Sequence, residues 1–257
     1  MTRILNGSLR VGTREQVVPP SELKNGSSKN LLLDNLPADV RQRIQAKLIP
    51  VSLRHGEIIH KPGEKICDLY FPTTCMISVT VTMNDARTVE VGAIGSREVV
   101  GVNAFMGGSE TTSSQYIVQL PGDAIKIATE PLVREFDRNT ELRDVLLRYT
   151  QAFMAQISQN VACNRLHAID RRFARWLLEV RDRVQRDDFP LTHVFIAQML
   201  GVRRSSITDV AAKLKKQGIV DARRGRIIIM DFRALQDRSC ECYQALKDEY
   251  DRLLGLA

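Results

Sequence analysis

The chain has 257 residues, of which 44% are hydrophobic and 26% charged, and its formal net charge is +7. This length suits one large domain or two ordinary ones. No apolar run approaches the roughly 20 residues that span a bilayer, and the amino terminus lacks the apolar stretch of a signal peptide. Five scattered cysteines, an odd number, argue against a disulfide framework. We therefore expect a cytoplasmic protein without a membrane partner.

Positive charge is concentrated in one segment of the chain. Residues 171–230 contain 14 Lys and Arg against 6 Asp and Glu, a net charge of +8, so the remaining residues sum to −1 (7 − 8). One basic segment in an otherwise nearly neutral chain favours an anionic partner for that segment, and nucleic acid in particular, over a merely solvated surface.

The first half of the chain predicts a tail, a short helix and many strands. Residues 1–29 are polar and without periodicity, which is typical of a flexible tail. Val40, Ile44 and Leu48 step by four and indicate a short amphipathic helix. Short apolar runs with turn signals between them then predict an antiparallel barrel or jelly roll. These runs are Glu57–His60, Asp68–Phe71, Met76–Met83, Thr88–Val91, Gln115–Gln119 and Ala124–Ile127. Alternation in Met76–Thr82 predicts one buried face and one wet face.

A long helix follows the predicted barrel, with Thr140 as its expected N-cap. Its apolar residues step by three and four: Leu142, Val145, Leu146, Tyr149, Phe153, Ile157 and Val161. A helix of this length has little to bury itself against within one subunit after a closed barrel. We therefore expect the stripe to pair with the same helix of a second copy. The alternative is that the stripe lies on its own barrel.

The basic segment begins with a helix that we expect Asp170 to cap and Asp187–Pro190 to end. Phe173, Trp176, Leu177, Val180 and Val184 form its apolar face, with Arg171, Arg172, Arg175, Arg181 and Arg183 around them. Thr192 can cap a second helix over 193–200, and Gly201 breaks it. A third helix over 204–217 stops at Gly218, a favoured position for glycine. Two helices joined by a short glycine-containing turn are typical of a helix-turn-helix.

The periodicity of the third helix separates a core face from a reading face. Ile207, Val210 and Leu214 are spaced for the core, opposite Ile196, Ala197 and Leu200. Ile219–Val220 predicts a strand, Arg223–Arg226 a tight basic turn, and Ile227–Met230 the returning strand, a hairpin that is typical of a wing. The expected DNA-contacting residues are Arg203, Arg204, Ser205, Ser206, Thr208, Asp209, Lys213, Lys215, Arg223, Arg224 and Arg226. Arg204 suits guanine, the lysines suit phosphate, and Asp209 suits a cytosine amino group or a nearby arginine.

The chain resembles the Crp/Fnr family of regulators in this order of elements and in two segments, HGEIIHKPGEKICDLYFPTTCMISV and LTHVFIAQMLGVRRSSITDVAAKLKKQGIV followed by RRGRIIIMD. The resemblance covers about 35–235 and implies an α+β protein: an N-terminal antiparallel jelly-roll barrel, a long dimerisation helix and a C-terminal winged helix-turn-helix. It implies a homodimer on palindromic double-stranded DNA and, for an activator, contact with RNA polymerase. The expected divisions are 1–29 tail, 30–138 sensor barrel, 139–168 dimerisation helix, 169–235 winged helix-turn-helix and 236–257 helical extension.

The sequence departs from the family in the residues that would sense a signal. Cyclic-nucleotide binders of the family carry Gly-Glu and a later Arg, whereas here Val102 follows Gly101 and no arginine occurs between Arg97 and Arg134. We therefore do not expect cAMP, and the effector or cofactor stays open. The resemblance places an effector pocket at Gly101, Val102, Asn103, Thr112 and Ser113. The family's best-known members have Glu where Ser205 stands and Arg where Asp209 stands, so the target sequence should differ.

The cysteines give no clear signal. They are Cys67, Cys75, Cys163, Cys240 and Cys242. None precedes Cys67, so the N-terminal iron–sulfur ligands of the family's oxygen sensors are missing. We expect Cys240 and Cys242 within a C-terminal helix, where positions i and i+2 do not share a face. Joint metal ligation is therefore not expected, and a redox role for one cysteine remains open.

Two other functions compete with regulation of transcription. A cupin-type metal-dependent enzyme would use His55, Glu57, His60 and Glu64, but on a strand His55 and Glu57 share a face and His60 lies on the other. No nucleophile–histidine–carboxylate arrangement emerges, so no catalytic residue is predicted. A nucleotide-binding regulatory subunit acting on a protein partner is the third candidate.

Overall fold

The computed structural model describes residues 28–107, 111–138 and 140–255, so the predicted tail lies almost entirely outside it. The elements are α1 (Leu31–Asp34), α2 (Ala38–Ile44), β1 (Ile49–Leu53), β2 (Ile58–His60), β3 (Asp68–Pro72), β4 (Met76–Thr82), β5 (Thr88–Ile94), β6 (Gln115–Leu120), β7 (Gly122–Ala128), α3 (Thr129–Arg138), α4 (Thr140–Leu166), α5 (Ile169–Val184), β8 (Asp188–Phe189), α6 (His193–Met199), α7 (Arg204–Lys216), β9 (Val220–Arg223), β10 (Arg226–Ile229), α8 (Phe232–Arg238) and α9 (Cys242–Leu254). Among the described helices, none combines the length and apolar character needed to cross a membrane.

The amino-terminal half is a two-sheet antiparallel unit. One sheet has the order β1-β7-β3 and the other β2-β6-β4-β5, and every pairing is antiparallel. Leu69, Phe71, Ile77 and Val118 are fully buried in the core between them. The α+β class and the jelly-roll half are therefore confirmed. Strand β1 was not predicted because its proline and serine interrupt the apolar run.

The predicted wet face of β4 is wrong. Ser78 and Thr80, the polar members of the alternation, are both buried. The Ser78 hydroxyl lies 2.6 Å from a carboxylate oxygen of Glu90 and 2.5 Å from the side-chain oxygen of Gln119, and helix α5 covers this side of the sheet. Alternation shows which residues share a face, but it cannot show that a second layer covers the polar face.

Most of the apolar stripe of α4 packs on its own subunit, contrary to the prediction that it faces a second copy, and only its last member, Val161, is exposed. Leu142, Leu146, Tyr149 and Phe153 all lie in the barrel core, and the Tyr149 hydroxyl donates to the carbonyl of Val99 at 2.9 Å. The helix has a second apolar row that remains exposed, described below. The side chain of the predicted cap Thr140 lies outside the described residues.

Helix α5 differs from its prediction at both ends. Its N-cap is Ala168, which has no side-chain oxygen to offer, and Asp170 lies inside the first turn. The helix ends at Val184, and Gln185 follows in the left-handed conformation with φ +54°. The predicted terminator Asp187–Pro190 therefore does not end the helix, and Asp188 and Phe189 instead form β8, which pairs with β10 of the wing. A two-residue strand is too short to leave a periodic pattern.

The carboxyl-terminal segment folds back onto the long helix. Helix α9 packs along α4, with Tyr250 and Leu253 buried against Ala152. Cys240 lies before the start of α9 and Cys242 is its first residue, so the two are not both helical as predicted. Within residues 236–255 the chain forms the end of α8 and the whole of α9, while the predicted divisions of the chain remain predictions.

Candidate nucleic-acid interface

The two helices of the predicted helix-turn-helix are held by local capping and turn chemistry. The Thr192 hydroxyl accepts from the amide of Phe195 at 3.2 Å and so caps α6. Gly201 stands in the left-handed region with φ +64°, where a side chain would be strained. Ile207, Val210 and Leu214 are buried as their spacing predicts. Helix α7 is thereby fixed with its other face free.

The free face of α7 carries most of the predicted reading residues. The exposed ones are Arg203, Arg204, Ser205, Thr208, Asp209, Lys213 and Lys215, and Ser206 is half-buried. Within the described residues, no ion pair engages Arg203, Arg204 or Lys213. Cations at the start and along the side of a protruding helix are available to a polyanion.

The sequence reasoning missed one histidine at this surface. His193 Nδ1 lies 3.1 Å from the hydroxyl of Thr208, which also donates to the backbone carbonyl of Arg204 at 3.1 Å. Burial and the neighbouring Arg204 both lower the pKa of His193. The imidazole is therefore neutral at physiological pH, and it holds Thr208 at the surface of α7. A lone histidine at a helix start carries no periodic signal that would have revealed this contact.

The wing is a tight hairpin of β9 and β10. Arg224 and Gly225 occupy its two turn positions with φ +49° and +76°, the pattern of a type I′ turn. The predicted strands are therefore shifted, and Arg223 and Arg226 are the paired strand ends. Both lie beside the turn, so the three predicted arginines do share one end of the hairpin.

Two aspartates form ion pairs with some of the basic side chains of this surface. Asp221 accepts from Lys215 at 2.8 Å and from Arg223 at 2.9 Å, and the hydrogen bond from Lys215 lowers the pKa of its carboxyl. Asp188, in β8, forms a two-point contact with Arg226 and raises the pKa of that guanidinium. Of the wing arginines, only Arg224 has no carboxylate partner among the described residues.

Three of the arginines in α5 do not belong to this surface. Arg172, Arg175 and Arg183 are buried, so their charge is not available to the anionic partner that the basic segment predicts. Arg172 donates to the carbonyl of Leu200 at 2.6 Å, and this hydrogen bond satisfies a backbone carbonyl at the carboxyl end of α6. The net charge of +8 therefore overstates the charge available to DNA.

The buried arginine Arg183 and the tryptophan Trp176 connect α5 to the barrel. The Arg183 guanidinium donates to the carbonyl of Ala93 at 3.0 Å and lies 3.3 Å from the carboxylate of Glu98. Trp176 Nε1 donates to Glu90 in β5 at 2.9 Å. A shift of the barrel strands would therefore act directly on the helix that precedes the helix-turn-helix.

The predicted effector residues lie at one end of the barrel. Gly101 and Val102 are buried, and a Cβ at Gly101 would stand 3.2 Å from Leu69. Asn103 accepts from the Tyr116 hydroxyl at 3.4 Å, Thr112 is buried nearby, and Ser113 is exposed. Gly101 and Val102 thus serve in packing, and the effector role of the five residues stays a prediction.

The residues of the competing metal enzyme are not brought together. His55 Nδ1 lies 2.7 Å from the carbonyl of Gln119, and burial lowers the pKa of His60 to about 4. In the described part of the chain, His55, Glu57, His60 and Glu64 do not form a group with metal-ligand distances.

Comparison with known proteins agrees with this geometry. A family model described as a Crp-like helix-turn-helix domain matches residues 171–238. No curated protein matches the sequence. A protein described as a Crp/Fnr-family transcriptional regulator from Eubacterium rectale is similar in structure, with 17% identity, a TM-score of 0.64, and coverage of 85% of this chain and 100% of that one.

Two further solved structures share the fold. FixK2 from Bradyrhizobium japonicum is 16% identical over 75% of this chain and 98% of its own, with a TM-score of 0.64. A Crp-family transcriptional regulator from Thermus thermophilus is 21% identical over 80% and 97%, with a TM-score of 0.60. The chain therefore carries a Crp-like helix-turn-helix domain at 171–238 and shares its fold with solved Crp/Fnr-family transcription regulators.

Proposed function

We propose that the chain is a homodimer that reads a two-fold symmetric site in double-stranded DNA, with α7 in the major groove and the wing on phosphate. The observation that carries this proposal is the free face of α7, which presents Arg203 and Arg204 without carboxylate partners among the described residues. The first turn of a recognition helix approaches base edges most closely. Arg204 is assigned to guanine, and Lys213 and Arg224 to phosphate.

Selection of binding sites from random DNA with the full chain should enrich an inverted repeat. On the selected site, Arg204→Ala should weaken binding about 10- to 100-fold, because a bidentate contact to guanine is worth about 1–3 kcal/mol. Binding to unrelated DNA should fall much less. Titrations of both DNAs by fluorescence anisotropy over a series of salt concentrations measure this difference.

Lys213→Ala is the matched control because Lys213 is equally exposed on the same helix. It should weaken binding to all sequences alike and reduce the slope of log K against log salt by about 1. Equal losses on selected and unrelated DNA in the Arg204 variant would remove Arg204 as a base reader. Failure to enrich any motif would remove the sequence-specific function.

The homodimer is proposed from a row of α4 that shares only Val161 with the stripe that the sequence suggested. Leu147, Met154 and Val161 are 47%, 61% and 68% exposed, and they repeat every seven residues. Such a row is typical of a seam between two parallel helices. Its members are exposed, whereas Leu146 and Tyr149 of the same helix are fully buried in the barrel core.

Met154→Lys should convert the dimer to monomer at micromolar concentration, because the lysine would place two like charges in one helix seam. Sedimentation velocity measures the change. Ala162→Lys, also exposed but about 100° around the helix from the row, is the control and should remain dimeric. A wild-type chain that sediments as a monomer would contradict the homodimer directly.

We further propose that the chain works in the cytoplasm without catalytic activity, and that an activator form would also contact RNA polymerase. The support is the helix-turn-helix match and the regulators among the similar structures. The same features disfavour a nucleotide-binding subunit that acts only on a protein partner. The DNA selection above distinguishes the two, because such a subunit would enrich no motif.

A further inference from the structure

Four side chains with metal-ligating atoms meet where the end of α4 approaches the start of α9. They are Cys163, His167, Cys240 and Cys242, and their ligand atoms all lie within 4.8 Å of one another. Cys163 lies in the last turn of α4 and His167 directly follows the helix, where its amide donates to the carbonyl of Cys163 at 3.0 Å and so keeps the two side chains on one face. Cys240 precedes α9 and Cys242 begins it, so the bend between them lets both thiols face the same point.

The separations fit one tetrahedral ion. The Sγ atoms of Cys163 and Cys240 are 3.6 Å apart, and Cys242 Sγ lies 3.5 Å from His167 Nδ1. With metal–sulfur bonds of about 2.3 Å and metal–nitrogen bonds of about 2.0–2.1 Å, tetrahedral ligands are separated by about 3.8 Å for two sulfurs and about 3.6 Å for sulfur and nitrogen.

Hydrogen bonds with neighbouring side chains favour the forms of His167 and Cys242 that can bind a metal ion. His167 Nε2 lies 3.1 Å from the carboxylate of Glu241, so the proton on Nε2 is held there and the lone pair of Nδ1 is directed at the thiols. A carboxylate on the outer nitrogen is the usual support of a metal-bound histidine. Gln159 donates from its amide to Cys242 Sγ at 3.0 Å, a contact that stabilises a thiolate.

Buried positive charge accompanies the cluster. Arg172 and Arg175 both interact electrostatically with Cys163 and Cys240, and the Nε of each arginine is buried without a hydrogen-bond partner among the described residues. Three thiolates and one neutral imidazole around a divalent ion carry a net charge of −1, which Arg172 would offset, whereas Arg175 already forms an ion pair with Glu179 at 2.6 Å.

We propose that Cys163, His167, Cys240 and Cys242 bind a single zinc-class divalent ion, which fastens α9 to the end of the long helix. Three thiolates and an imidazole are a donor set that zinc prefers, and four protein ligands leave no open position for catalysis. The site closes a loop of 77 residues between Cys163 and Cys240 that contains the entire helix-turn-helix. The ion would therefore fix the base from which α5 leaves α4. This site does not depend on the proposed DNA contacts.

The experiment measures metal directly on the full chain, purified under reducing conditions. We expect one zinc per chain by elemental analysis, and substitution with Co²⁺ should give the intense absorption of tetrahedral thiolate coordination. Cys242→Ser should lose stoichiometric zinc, and Cys67→Ser, which removes an exposed cysteine outside the cluster, should retain it. Chelation of the wild type should lower its Tm, because an ion bound only to the folded state stabilises that state.

A second variant distinguishes loss of the metal site from misfolding, which could also remove zinc from the cysteine variants. Glu241→Gln changes an exposed residue that is not a ligand, and it should fold normally while zinc affinity, measured against a chromophoric chelator, falls about 10- to 100-fold. Purified chain without bound zinc that also fails to take up added Zn²⁺ would overturn the proposal. A Cys163–Cys240 disulfide in place of the ion, or iron with acid-labile sulfide, would overturn it as well.

Discussion

Arg183→Met is expected to lower the free energy of unfolding by about 3–5 kcal/mol, because breaking a buried ion pair leaves its partner charges uncompensated. The Arg183 side chain is buried between α5 and the barrel, near the carboxylates of Glu98 and Glu179 at 3.3 and 3.6 Å. Burial lowers the pKa of this guanidinium, but the two carboxylates outweigh burial and raise it above its ordinary value. The methionine would fill the volume but leave the buried Glu98 carboxylate without its cation, while Glu179 keeps its ion pair with Arg175 at 2.6 Å.

Urea unfolding of the two proteins at pH 7 measures the loss. Arg186→Met is the control, because Arg186 is exposed just beyond the same helix, and the change there should be within about 0.5 kcal/mol. Adding Glu98→Gln to Arg183→Met should recover part of the loss, since one orphaned charge is then removed. Simple addition of the two single losses would show that the pair is not coupled.

Glu90→Gln is expected to stabilise the protein, and more so at pH 8 than at pH 5. Burial raises the pKa of Glu90 from 4.5 to about 7, although hydrogen bonds with Ser78 and Trp176 act to lower it. Between these values the unfolded chain gives up its proton first, so wild-type stability falls as pH rises through this window and then levels off above pH 7. A glutamine cannot titrate, and the gain at pH 8 should be on the order of 3 kcal/mol.

The chain provides its own probe for this titration. Trp176 is its single tryptophan, and its Nε1 donates to Glu90. Wild-type tryptophan fluorescence should therefore change with a midpoint near pH 7, and the change should be absent in Glu90→Gln. Glu130→Gln, at an exposed carboxylate of α3, should leave both stability and fluorescence as in the wild type. A fluorescence midpoint near pH 4.5 would show that the Glu90 carboxyl is charged in the folded state.

The sequence predicted the helix-turn-helix well because local rules determine it. The positions of Ile207, Val210 and Leu214 repeat with the helical period, and Thr192 and Gly201 mark the ends of α6 by capping and backbone chemistry. The contact of His193 with Thr208 was not predicted because it depends on how α6 and α7 cross. The assignment of individual side chains to DNA remains a prediction.

Features that depend on distant parts of the chain could not be predicted. Arg172 and Arg183 lie on the polar side of an amphipathic helix, and they are buried where the end of α6 contacts Arg172 and the barrel contacts Arg183. The thiols of Cys163 and Cys240 are separated by 77 residues. The prediction placed Cys240 and Cys242 in one helix, where positions i and i+2 do not share a face. The bend before α9 makes the two thiols neighbours, and such a bend leaves no periodic pattern in the sequence.

At the turn of the wing, a charged residue occupies a backbone position where it lowers the stability of the protein. Arg224 occupies the first turn position at φ +49°, where an asparagine or glycine would fold more easily. A residue other than glycine in this region costs on the order of 1 kcal/mol. The strained residue, Arg224, is also the one wing arginine that pairs with no carboxylate in the described part of the chain. On the proposed assignment, its charge is therefore available to DNA. Selection for a more heat-resistant protein would therefore be expected to replace this arginine early and to weaken the hold on DNA as it did so.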